Sequence, residues 1–275
     1  MSATSIIKES LKYPNFHRKN WGIMGAIFLI LAILNLISYY VSGASNVVSV
    51  VSFLFDIFIL GFGMSLIAST IQGVDDVPEF SIVDNFVDGI KGMILYFVYS
   101  IIPFILTIIV AVLTGLLSNL FKVAIVLNNS TAFHAAASAT TSDEVFYQLS
   151  IAFSAVPVNV QAALINSLLI TICIAFVLYL IVLLFANMGL ARMVETGSLK
   201  AGLSIGAIFK KISSIGWGTY ISWFILTILV TILLGIISYL ISFIPILGML
   251  LKALIITSFG FFFNYRTIGL IYNEG

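Results

Sequence analysis

Asp56 is the one acid set inside a long apolar run, VVSVVSFLFDIFILGFGMSLI. An ionisable side chain at the centre of a membrane span costs about 3 kcal/mol or more and marks a functional position by default. Asp56 lies nine residues past Val47, about 14 Å along a helix. The other reading is a later start to the span, which would put Asp56 at headgroup level. Lys252 stands six residues into another apolar run and on the same side. A pair between Asp56 and Lys252 would offset the desolvation of both. Other chemistry is scarce. The chain has two histidines, His17 and His134, and these fall in polar segments expected on opposite sides of a membrane. They cannot form a metal pair or a proton relay. Cys173 is the single cysteine and excludes an internal disulfide. Gly202 and Gly206, in GLSIG, suit close helix packing better than phosphate binding. No enzyme activity, catalytic residue, metal or cofactor is therefore expected.

The remaining charges gather in two stretches. From Gln72 to Lys91 run Asp75, Asp76, Glu79, Asp84 and Asp88 against Lys91, a balance of −4. From Arg192 to Trp217 run Arg192, Lys200, Lys210 and Lys211 against Glu195, a balance of +3. An acidic segment gains nothing from an anionic leaflet, so it needs a cationic partner. Asp84 and Asp88 are expected to face Lys210 and Lys211. Two independently solvated faces are the plainer alternative. The overlapping triplets at Asn128 and Asn129, each with a hydroxyl residue two places on, are glycosylation acceptors on an outer loop only if they are used.

These residues must be positioned by apolar segments. Of 275 residues, 61% are hydrophobic and 8% charged, with mean hydropathy +1.19. A soluble domain carries about 25% charged residues. Apolar runs of about 20 residues cross a bilayer as helices, because only a helix satisfies its own backbone there. The composition implies an all-α polytopic membrane protein. Six spans are expected at 21–41, 47–71, 93–121, 160–188, 215–243 and 246–265, forming one transmembrane domain over 21–275. Residues 1–20 read as an N-terminal interfacial segment. Ser5 caps a helix with Ile6, Ile7 and Leu11 on one side, which Pro14 ends. Pro103 is placed to kink the third span, and Pro245 to make a hairpin turn.

Two further interfacial helices are expected. Ser81 and Asp84 are spaced as a capping box. Ile82, Val83, Phe86, Val87 and Ile90 follow at helical spacing. The second lies within GLARMVETGSLKAGLSIGAIFKKISSIGWG. Residues 122–159 form the largest polar loop, with Ser142 capping a helix that has Asp143 and Glu144 in its first turn. With the N-terminus inside, Lys8, Lys12, Arg18, Lys19, Lys91, Arg192, Lys200, Lys210, Lys211 and Arg266 fall on the inner side. Only Lys122 and Lys252 fall outside. This bias places both termini in the cytoplasm, at the cell membrane. No cleaved signal peptide is expected, since no short apolar core precedes a small-residue cleavage site.

The halves resemble one another. IASTIQG at 67–73 matches ARMVETG at 191–197, and LTGLLS at 113–118 matches LLGIIS at 233–238. Both pairs run in the same sense, which reads as a parallel repeat. ESLKYPNFHRKNW, QGVDDVPEFSIVDNFVDGIKG and GLARMVETGSLKAG resemble the domain-of-unknown-function 4013 family of archaeal membrane proteins. The likeness covers residues 6–272 and is most specific at Gly73, Pro78, Phe86, Asp88 and Gly89. The stretch SGASNVVSVVSFLFD is longer than that pattern. The resemblance implies this architecture and an archaeal cytoplasmic membrane, and it brings no catalytic residues.

The expected function is non-catalytic. The cytoplasmic interfacial helices would bind or organise a membrane-protein partner or a second copy of the chain. The bilayer is a partner, and nucleic acid is not. The alternative is a transporter or channel for a small solute or ion, using Asp56. Polar residues converging on a cavity favour transport, and a closed bundle favours the scaffold.

Overall fold

The computed structural model describes residues 1–16, 18–41, 43–139, 141–244 and 246–275, with the side chains of residues 14–20 outside the description. His17 and Pro245, and the hairpin expected at Pro245, therefore lie outside the described residues. The chain is all-α. Its helices are α1 (Ala3–Phe16), α2 (Arg18–Tyr40), α3 (Ser45–Ile71), α4 (Ile82–Leu113), α5 (Leu116–Asn128), α6 (Thr131–Ser138) and α7 (Ser142–Ser154). Then come α8 (Val158–Thr196), α9 (Leu199–Gly202), α10 (Ile205–Ile215), α11 (Trp217–Ile241), α12 (Leu247–Leu251) and α13 (Ser258–Tyr272). A π-helical turn, Lys252–Thr257, joins α12 to α13. Six segments are long and apolar enough to span a bilayer: Trp21–Tyr40, α3, α4, α8, α11 and Leu247–Tyr272. Their outer flanks expose residues such as Ile30, Ile33, Ile225 and Leu229, a surface that lipid covers. The chain is a multi-pass membrane protein.

Two compact units divide it: residues 1–97 with 183–275, and residues 98–182. In the first, α3 crosses α4 at backbone contact. A Cβ at Gly61 would lie 1.7 Å from the Asn85 carbonyl oxygen, and one at Gly89 would lie 2.0 Å from that of Ile57. Small residues let membrane helices approach so closely. Ser65 donates to Asn85 Oδ1 at 3.1 Å across the same crossing. Here lies one difference from the expected order. Residues 82–91 are not a separate interfacial helix but the first turns of the continuous helix α4. Gly89 and Gly92 serve packing there and interrupt nothing. The helix also runs through Pro103 and stops at Leu113, short of the expected 121.

α1 differs too. It continues past Pro14 to Phe16. Pro14 sits in the last turn, where its missing N–H removes one i to i−4 hydrogen bond close to the helix end. Its stripe of Ala3, Ile6, Ile7, Ser10 and Tyr13 is buried, and α1 packs against α11 and α13. Tyr13 joins Met24, Phe62, Leu66, Val77, Phe261 and Phe262 in the core of this unit. Phe62 and Phe261 stack with ring centroids 6.0 Å apart. α3 ends in a Schellman turn. Val74 N–H donates to the Ser69 carbonyl at 2.9 Å and Gly73 N–H to that of Thr70 at 3.1 Å, with Gly73 at φ 71°. Gly197, its counterpart in the sequence comparison of the halves, takes φ 68° after α8.

The second unit holds α5, α6, α7 and the adjoining parts of α4 and α8. Asn119 donates to the Ala163 carbonyl at 3.1 Å and to Ser167 Oγ at 3.2 Å. The Thr114 and Thr171 hydroxyls lie 2.9 Å apart. The long polar loop expected over 122–159 is largely helical. Its second short helix is capped by Thr141, which accepts from Glu144 N–H, and not by Ser142. α8 starts at Val158 and runs to Thr196, past the expected end at 188.

Candidate functional site

The charged residues of the first unit build a network at the face that carries both termini. Arg266 is its centre. It lies on α13, within the last span, and is 4% exposed. A guanidinium that far from water needs counter-charge and hydrogen bonds, and its five donors allow several at once. Nη2 reaches Asp75 Oδ1 at 2.5 Å and Glu9 Oε1 at 3.2 Å. Nη1 donates to Thr70 Oγ1 at 3.3 Å and to the Val74 carbonyl at 3.5 Å. The guanidinium stands 4.5 Å from the Tyr13 ring centroid, in cation–π range. One side chain thus ties together α1, the end of α3, the loop after Gly73 and α13. Asn273 strengthens this junction by donating to the Thr70 and Ile71 carbonyls at 3.1 and 3.2 Å, satisfying the C-terminal end of α3. Burial pushes the Tyr13 hydroxyl up to about 12, although Arg266 pulls the other way.

A second cluster continues the face. The Tyr272 hydroxyl donates to Glu195 at the end of α8. Lys211 Nζ stands 4.2 Å from the Tyr272 ring centroid and donates to the Gly275 carbonyl at 2.5 Å. Burial lowers the Lys211 pKa, with Glu195 opposing the shift. Nearby in the same unit, Ser65, Ser69, Gln72, Asp88, Lys91 and Gly197 line a groove of about 320 Å3 between the ends of α3 and α8 and the start of α4.

The residues singled out from the sequence are distributed differently from expectation. Asp84 N–H bonds to Ser81 Oγ at 3.4 Å, while the Ser81 hydroxyl donates to Asp84 at 2.6 Å, so the expected cap is present. Asp88 pairs with Lys91 at 2.8 Å, one turn along its own helix. Lys211 turns to α13 and Lys210 is exposed, so Asp84 and Asp88 make no ion pair with either among the described residues. Asp56 and Lys252 are both exposed and make no ion pair with each other among the described residues. Lys252 instead opens the π-helical turn and lines a groove of about 480 Å3 with Phe28, Asn35 and Tyr39 of α2, the helix packed beside it. The acidic stretch finds its cation in Arg266, which the sequence reading counted only as one inner base. Its signal was weak. It is a single arginine near the end of an apolar run.

No curated protein and no solved structure matches the chain. A family model described as "Protein of unknown function (DUF4013)" matches residues 44–246, a narrower span than 6–272. Glu9, Tyr13 and Arg266 lie outside the matched residues, and Thr70 and Asp75 lie within them. With nearly three quarters of its length matched, the chain belongs to the DUF4013 family of proteins of unknown function.

Proposed function

We propose that the protein is a non-catalytic membrane component that organises a membrane-protein partner at its termini-bearing face, and that this face is cytoplasmic. The observation that carries the reading is the Arg266 network. It holds α1, the Gly73 loop and α13 as one fixed platform. Around it, exposed Asp76, Glu79, Lys200 and Lys210 make no ion pair among the described residues. A rigid platform with free charges of both signs gives register and partner choice more than raw affinity. The positive-inside bias supports the orientation. Among the described residues no group of three or more His, Cys, Asp or Glu is placed to hold a metal ion. Transport through Asp56 has weaker support, since Asp56 lines none of the cavities described above.

A photo-crosslinking amino acid placed at Glu79 and at Lys210, in intact cells, tests the reading. The expected result is one discrete adduct of the same mass from both positions, lost when Asp75 and Glu9 are neutralised together. Absence of an adduct from either position, with the protein folded and inserted, would overturn it. A second copy of the chain in the adduct would identify the partner as itself.

A further inference from the structure

A cavity of about 380 Å3 lies inside the first unit, bounded by α4, α8, α11 and α13. At 1.5 Å per residue, Asn264 lies about 3 Å further along α13 than Arg266, so the cavity begins just beyond the level of the Arg266 network. The lining there carries no charge. It does carry Tyr96, Asn187, Thr227, Thr231, Asn264 and Tyr265, all hydrogen-bonding side chains.

Those side chains are only partly satisfied by one another. The Thr231 hydroxyl donates to the Thr227 carbonyl at 2.9 Å and lies 3.3 Å from Asn264 Oδ1. The Asn264 amide donates to the Gly260 carbonyl at 2.9 Å. Thr227 Oγ1 is buried without a partner. The Tyr96 and Tyr265 side chains and the Asn187 amide line the cavity beside it. A hydroxyl left unpaired out of water is costly, and apolar residues would fill the space without that cost. Thr231, Ile232 and Leu183, which also line the cavity, are exposed on its flank. The cavity therefore opens sideways toward lipid.

We propose that this cavity binds the headgroup of an uncharged glycerol lipid that carries two hydrocarbon chains and one free hydroxyl. An uncharged lining selects an uncharged ligand, because a lone charge would find no counter-charge there. A hydroxyl both donates and accepts, so it can serve the tyrosine, threonine and asparagine groups together. Phe224, Ile228 and Phe261 offer apolar contact to the glycerol backbone, and the lateral opening leaves the acyl chains in the bilayer. The volume suits a headgroup and not a whole lipid.

The full-length protein in phosphatidylcholine nanodiscs, labelled with a diazirine-bearing diacylglycerol and mapped by mass spectrometry, tests the proposal. The expected adducts lie on the 183–187 and 227–232 segments. Dioctanoylglycerol in excess suppresses them, whereas trioctanoylglycerol, which lacks the hydroxyl, and free glycerol do not. The Asn187→Leu/Thr227→Val double variant should weaken the competition about tenfold. Thr231→Val serves if the double variant fails to fold. Equal suppression by trioctanoylglycerol would overturn the proposal, since apolar contact alone would then explain binding. Suppression by glycerol alone would make it a site for a dissolved polyol. Labelling that nothing competes would mean that the cavity holds water only.

Discussion

Arg266 lies 2.5 Å from the Asp75 carboxylate, across 191 positions of sequence, and the two differ sharply in setting. The Arg266 side chain is 5% exposed and that of Asp75 is 84% exposed. The asymmetry predicts which partner matters. Asp75→Asn alone should cost at most about 1 kcal/mol, because the carboxylate is screened by water and Glu9 remains. Removing Asp75 and Glu9 together leaves a buried guanidinium without counter-charge, at about 3 kcal/mol or more. Arg266→Met leaves only exposed carboxylates behind and should cost about 1–2 kcal/mol, mostly cation–π and hydrogen bonding. Adding Arg266→Met to the double neutralisation should therefore recover stability. Equilibrium unfolding in mixed detergent and SDS measures all four variants. A triple variant weaker than the double would reject the argument.

The α3–α4 crossing gives a second test. Gly61→Ala and Gly89→Ala each force a Cβ into a facing backbone carbonyl, which cannot move aside as a flexible side chain can. Each should cost about 1–3 kcal/mol or more by overpacking. Gly235→Ala in α11 meets nothing within 4 Å and should be neutral or mildly stabilising. Thermal unfolding in detergent distinguishes the three, and equal effects at 61 and 235 would refute close contact as the cause.

Much of this architecture was legible in the sequence. The six spans follow from apolar runs that no soluble fold could bury, and the Ser81–Asp84 cap follows from local spacing. What was not legible depends on distant contacts. The apolar stripe of α1 indicates that one side is buried, but lipid and protein are equally apolar, so periodicity cannot say which covers it. α1 turned out to pack on α11 and α13, with Tyr13 against Phe262 and Arg266. Once α1 docks there, Glu9 comes within 3.2 Å of Arg266, a relation spanning 257 positions. Gly89 and Gly92 likewise look like a break between a surface helix and a span. Only the presence of α3 beside them makes them packing residues within one helix. Asn187, Thr227 and Asn264 are unremarkable one by one in apolar runs, and only the bundle brings them to one cavity.

The Arg266 contacts also constrain topology. Glu9, Asp75 and Arg266 meet, so the N-terminal helix, the loop after α3 and the end of α13 share one side. In a Cys173→Ala background, cysteines at Lys8 and Asp76 should label alike in sealed cells, both protected from an impermeant maleimide added outside. A cysteine at Ser138 should be labelled. Labelling at 76 without 138 would invert the orientation. Different labelling at 8 and 76 would contradict the shared face itself.

Tyr13 supplies a pH test of the same junction. Its hydroxyl has an ordinary pKa of 10.0, raised to about 12 in the folded protein chiefly by burial. Between these values the unfolded chain has released the proton and the folded chain still holds it. Stability must then fall as pH rises. The contribution is fully present below about pH 10 and is lost progressively toward about pH 12. Lys211 acts in the opposite sense. Its pKa is lowered by burial, so its part of the stability improves as pH rises toward its ordinary value of 10.5. Tyr13→Phe keeps the ring over Arg266 but removes the titrating group, so it should flatten the alkaline decline. Lys211→Met should remove the rise in stability below about pH 10.5 and leave the decline above it in place. Melting temperatures of the purified protein between pH 8 and pH 12 measure both. If Tyr13→Phe follows the wild-type curve throughout, the tyrosine is not what titrates at this junction.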